Sequence, residues 1–180
     1  MRGTAYSLSI LLGLLAAGCG SESSGSWPVV PSIARVEFAL RLSSADGSAA
    51  SPIIATATVR NPGTAPAFGV NPRGCPCDGL EFDILDSAGQ SMLLVDPCVP
   101  VPVCLCTHMV LNGGATFGRN LTFKGERFRV VSNPPPQCAL EQSASGDYVV
   151  VARFHYYTDG SFQSPVQIIE RRATFHWTGP

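Results

Sequence analysis

The chain has 180 residues, 12 of them basic and 13 acidic, for a formal net charge of −1. Only 14% of residues are charged and no basic cluster stands out, so nucleic acid is not an expected partner. The length suits one domain with a sizeable core.

Arg2 precedes an apolar run, Ala5 to Ala17, that ends in the small residues Ala16-Ala17-Gly18-Cys19. A positive start, a short apolar stretch and a small-residue cleavage site describe an export signal. The run falls short of the roughly 20 apolar residues that a membrane-spanning helix needs. The stretch Leu14-Leu15-Ala16-Ala17-Gly18-Cys19 resembles the lipobox of bacterial lipoproteins. The resemblance implies cleavage after Gly18, diacylglycerol on the Cys19 thiol, and acylation of the new amino terminus by a fatty acid such as palmitate. Gly20 stands where many inner-membrane lipoproteins carry an aspartate, so the outer membrane is the expected destination. Gly20-Ser21-Glu22-Ser23-Ser24-Gly25-Ser26 is small and polar, and should act as a flexible tether. The expected organisation is a signal over 1–18, lipidated cysteine and tether over 19–28, and one domain over 29–180. Losing Arg2 with the signal leaves 11 basic and 13 acidic residues, a net charge of −2.

Beyond the tether the pattern is period two, the mark of half-buried strands. Arg35 to Leu42 is the clearest example, with Val36, Phe38, Leu40 and Leu42 on a core face and Arg35, Glu37 and Arg41 in water. Ile53 to Arg60 predicts a second strand, stopped by Asn61-Pro62-Gly63. Leu80 to Ile84 alternates again and turns at Asp86-Ser87-Ala88-Gly89 into a strand over Met92 to Val95. Ala115 to Phe123 places Phe117, Leu121 and Phe123 on one face, with Arg119 a misfit among them. Tyr148 to Tyr157 predicts a long strand, returned by Thr158-Asp159-Gly160-Ser161 towards Val166 to Trp177. About seven short strands with turns between them predict an all-β antiparallel sandwich.

The order of these pieces resembles immunoglobulin-like domains, and more narrowly the family of the intracellular proteinase inhibitor BsuPI. Three fragments carry the resemblance: Asn61-Pro62-Gly63-Thr64 at a strand end, Leu111-Asn112-Gly113-Gly114 before a strand, and Gly146-Asp147-Tyr148-Val149 opening one. It implies an immunoglobulin-like β-sandwich, a tyrosine corner at Tyr148, and protease binding as one variant of function.

Setting Cys19 aside leaves Cys75, Cys77, Cys98, Cys104, Cys106 and Cys138, an even number in an oxidising compartment, where disulfides are the default. Residues two apart on a strand share a face, so Cys75-Pro76-Cys77 and Cys104-Leu105-Cys106 on neighbouring antiparallel segments could form Cys75–Cys106 and Cys77–Cys104. Cys98 would then be left for Cys138. This is one of 15 connectivities that six cysteines allow. The competing reading is a metal site, because Cys104, Cys106, His108 and Met109 bring thiols, an imidazole and a thioether within six residues. Such soft ligands suit copper(I), and thiolates with imidazole suit zinc.

Signs of catalysis are sparse. Gly-x-Ser-x-Gly, Walker-type and His-Glu-x-x-His motifs are missing from the sequence. His155 and His176 are expected at opposite ends of the last hairpin, and His155, on a face with Arg153 and Tyr157, reads as a solvated surface histidine. Asp83 and Asp86 read as solvated charges beside a turn, and Asp78 and Asp96 as turn formers. The expectation is a non-catalytic, lipid-anchored envelope module that binds another macromolecule or supports the envelope, held on the membrane by its lipid. The alternative is an extracytoplasmic copper or zinc carrier.

Overall fold

The computed structural model describes residues 34–70, 78–100, 108–132 and 136–179. The expected signal and tether, with Cys19, Cys75, Cys77, Cys104 and Cys106, lie outside the described residues.

The described chain is all-β. In chain order the strands are β1 (Glu37–Leu42), β2 (Asp46–Gly47), β3 (Ile53–Arg60), β4 (Ala67–Gly69), β5 (Leu80–Leu85), β6 (Met109–Leu111), β7 (Thr116–Phe123), β8 (Glu126–Ser132), β9 (Gln137–Gln142), β10 (Gly146–Tyr157) and β11 (Gln167–Trp177). One sheet runs β1-β3-β7, all antiparallel. The second runs β2-β11-β10-β4-β6, with β5 also paired to β10. Strands β8 and β9 form a separate hairpin.

The alternation in the sequence explains how the two large sheets pack. Ile53, Ala55, Ala57 and Val59 all fall on one face of β3 and are buried. Ala57 and Val59, together with Phe38, meet Leu80, Ala152 and Phe154 of the second sheet in one core cluster. A second cluster joins Ile53, Ala55 and Phe123 to Ile84, Val150, Phe175 and Trp177. Burying side chains of this size stabilises by roughly 1.5–3 kcal/mol each relative to exposure. The Tyr148 hydroxyl donates to the Ala144 carbonyl at 2.7 Å, tying the start of β10 to the connection before it. Asn61, which only punctuates β3 in the sequence, is fully buried. Its amide donates to Ala65 and Leu111 carbonyls at 2.8 and 2.9 Å and accepts from the Arg35 and Gly63 amides.

Two expectations need correction. Met92 to Val95 is not a strand. Its backbone divides between partners, Met92 donating to Ile84 and Leu93 accepting from Phe128, so it crosses from β5 to β8 instead of running along either. Arg119 is not a misfit. It points inward from β7 and crosses to the opposite sheet, where its guanidinium meets the Asp78 carboxylate at 2.8 Å and donates to the Leu80 carbonyl. The charge also lies 5.4 Å from the centre of the Phe82 ring. Asp78 meanwhile forms the expected turn, accepting from Leu80 N at 2.9 Å. Arg119→Met should cost about 2 kcal/mol in urea unfolding, because it strands a mostly buried carboxylate. Adding Asp78→Asn should restore much of that loss, and a strictly additive double variant would disprove the coupling.

Candidate functional site

The second sheet contains an interrupted strand. Phe68 and Gly69 of β4 pair with Tyr157 and Tyr156, while Leu80 of β5 pairs with Phe154. The chain thus leaves the line at Val70 and rejoins it at Leu80, and His155 sits opposite the gap. Its backbone holds both feet of the excursion: Val70 N donates to His155 O, and His155 N donates to Gly79 O, each at 2.9 Å. Gly79 has φ of 78°. A Cβ added there would lie 2.5 Å from the His155 oxygen, so the feet touch backbone to backbone.

This arrangement overturns the reading of His155 as a solvated histidine. It is 7% exposed, because the two feet close around it and Glu81 of β5 packs beside it, Oε2 3.3 Å from Nε2. His176 lies at the other end of the hairpin, paired with exposed Asp147 at 2.8 Å. The separation of the two histidines is as expected from the β10–β11 register.

On its other side β4 pairs with β6, Gly69 opposite Met109 and Phe68 opposite Val110. Alternation then sends Met109 and Leu111 to the core, where Met109 packs on the first cluster, and His108 and Val110 to the outer face. The His108 ring is 5.9 Å from that of Phe68 and 4.7 Å from that of Phe162. Phe162 also packs edge-on to Phe68 at 5.6 Å and to Tyr157 at 5.2 Å. Beside these rings opens a cleft of about 380 Å³ lined by Val70, His108, Tyr157 and Phe162.

The turn after β10 aims Phe162 into this cluster. Asp159 accepts from Ser161 N at 2.9 Å, as the sequence Thr158-Asp159-Gly160-Ser161 leads one to expect. A hydrogen bond from the Ser161 hydroxyl, above all, holds its carboxyl below the usual carboxylate range. Gly160 passes close to the Phe68 ring, and a Cβ there would stand 3.1 Å from it. Phe162 follows with φ of 56°, the one non-glycine residue in the left-handed region among those described. Bulky residues hold that conformation at a cost of order 1–3 kcal/mol, and they cluster where ligands are clamped.

Beyond the cleft, Arg153 and Arg172 grip Glu170 from both sides at 2.7 Å. Arg172 first, and then Arg153, hold the Glu170 carboxyl below its usual range. A depressed carboxyl contributes stability above its unfolded pKa, about 4.3, and that contribution is lost as pH falls through the folded value. Glu170→Gln should flatten the acid limb of the stability–pH curve below about pH 4. At pH 7 the change should be small, because water screens the pair. An acid limb identical to that of the parent would show that the pair contributes nothing.

Among the other sequence candidates, Cys98 and Cys138 are joined in a disulfide with Cα atoms 5.9 Å apart, as the pairing by elimination proposed. Asp96 Oδ1 accepts from Cys98 N at 2.8 Å, a turn contact. The carboxylate and the two sulfurs lie within 4.8 Å of one another, but sulfurs bonded to each other lack the thiolate that a metal takes. Of the four residues considered as copper or zinc ligands, Cys104 and Cys106 lie outside the described residues, while His108 and Met109 diverge to opposite faces.

No protein-family model matches the chain, and comparison with curated proteins gives no match. Solved structures similar to it include a β-glucosidase from Erythrobacter marinus, at 15% identity and a TM-score of 0.39 over 81% of this chain. Another is a β-glucosidase from Listeria innocua, in complex with glucose, at 12% identity and a TM-score of 0.31 over 80%. The match spans 16% of each of those chains. Likeness at this level carries no argument about activity.

Proposed function

We propose that this chain is a non-catalytic lipoprotein of the bacterial envelope, anchored through Cys19, whose immunoglobulin-like domain presents a binding surface at one end. The observation that carries the binding role is the aromatic cleft of His108, Tyr157 and Phe162, with Phe162 held there against its backbone preference. Its volume falls in the range of ligand pockets, and aromatic rings dominate contact energetics when they are covered. A cleft of this kind suits an apolar or aromatic side chain of a protein partner, in keeping with the protease-binding variant implied by the BsuPI-like fragments.

The strand pairing supports the immunoglobulin-like reading. Strands β1, β3 and β7 correspond in order to A, B and E of that fold, and β5, β10 and β11 to C, F and G. The Tyr148–Ala144 bond occupies the place of a tyrosine corner.

Three measurements test this. Cys19→Ser should release the protein from membranes, and continued retention would refute the anchor. Mass measurement of the exported protein with and without alkylation should find six oxidised cysteines; four or more free thiols would favour a copper or zinc carrier instead. Phe162→Gly should abolish saturable binding of an anilinonaphthalene dye without loss of stability. Undiminished dye binding would remove the cleft from consideration.

A further inference from the structure

Strands β8 and β9 form a sheet of their own. The edge of β8 is engaged, since Phe128 N donates to Leu93 O at 2.7 Å. In an antiparallel pair, opposed residues either exchange both backbone bonds or turn both sets of groups outward. Phe128 turns its N–H outward, so its register partner Leu140 turns its N–H and C=O to the open side of β9. Cys138 and Gln142, two positions away on either side, do the same.

No described strand meets that side of β9. Edges elsewhere carry features that discourage pairing: β1 exposes Glu37 and Arg41, β7 turns Arg119 inward, and β2 and β6 have two and three residues. Strand β9 has none of these. It holds no lysine or proline, and its one charge, Glu141, is engaged by Arg127 at 2.8 Å and Arg129 at 3.2 Å.

We propose that β9 pairs antiparallel with β9 of a second copy of this chain, about a two-fold axis at Leu140. In that register the outward N–H and C=O of Leu140 exchange bonds with those of Leu140 of the partner subunit, and Cys138 and Gln142 oppose one another twice. A slip by one residue would set outward-facing groups against inward-facing ones. The side chains fit the same register. On one face Phe128, Leu140 and their two counterparts form an unbroken apolar row across four strands. On the other face Glu141 comes opposite Ala139, so like charges do not meet. Leu140 is 54% and Val130 44% exposed, and a lone two-stranded ribbon gains stability from added strands. The two-fold closes, which gives a dimer and not a fibre.

Sedimentation equilibrium of the full chain in density-matched detergent should give twice the monomer mass in the micromolar range. Leu140→Lys sets two ammonium groups face to face on the axis and should yield monomer. Gln142→Pro removes an outward N–H and none of the hairpin's own bonds, and should also weaken the dimer. Ile168→Lys, at a 58% exposed position on β11, should leave it intact. Circular dichroism should report an unchanged fold in all three. A monomeric parent, a dimeric Leu140→Lys variant, or dissociation by Ile168→Lys would each overturn the proposal.

Discussion

Replacing Cys98 and Cys138 together by serine should lower the unfolding free energy by about 4 kcal/mol, from the chain-entropy cost of a closed loop of this size. The bridge spans 40 residues of sequence and ties the segment after β5 to the β8–β9 hairpin. The Leu93–Phe128 backbone bridge joins the same two pieces. The hairpin has little else to hold it, because Val130, Val131 and Leu140 remain exposed and neither of its strands joins a larger sheet. Loss should therefore be uneven. Amides of Glu126–Gln142 should exchange with solvent early, while those of β3 and β10, whose side chains fill both core clusters, should keep their protection. Denaturant melts followed at Trp177, fully buried against Phe123, report the global term, and hydrogen exchange reports the local one. A loss under about 1 kcal/mol would mean that the bridge decorates a hairpin already stable without it.

Much of the sandwich is legible because its strands have one dry and one wet face. Phe38, Val59, Phe123 and Phe154 each fall on the beat that the period-two pattern sets. The hairpin is not legible for the same reason: Arg129, Val130, Val131 and Ser132 are all exposed, so no alternation marks β8. Arg119 reads as a misfit on its face because its partner, Asp78, is 41 residues away in sequence and on the other sheet. The cover over His155 comes from the feet of a chain excursion, which strand periodicity cannot register. The cleft leaves no motif at all. Phe68, His108, Tyr157 and Phe162 come from three separate stretches, and only the pairing of β4 with both β6 and β10 brings them together. Cys98–Cys138 was within reach, since it follows from pairing the two Cys-x-Cys runs in an oxidising compartment.

Gly79→Ala should cost about 3 kcal/mol, the sum of two separable penalties. The first is conformational, because φ of 78° disfavours any L side chain by roughly 1–2 kcal/mol. The second is steric. The new methyl would lie 2.5 Å from the His155 oxygen and 2.9 Å from Gly69 Cα and Val70 N, all backbone atoms that no rotamer change can move. Overpacking of this kind typically costs 1–3 kcal/mol. Gly89→Ala provides the control: φ there is 75°, with nothing within 4 Å of the added Cβ, so it should show the first penalty alone. The difference between the two variants in urea unfolding then measures how tightly the feet of the excursion are closed on His155. Equal losses would mean that the feet part readily. The consequence reaches the cleft, because Val70 lines it and is held there by its bond to the same His155 carbonyl. Separating the feet should release Val70, and dye binding in the cleft should weaken in Gly79→Ala but not in Gly89→Ala.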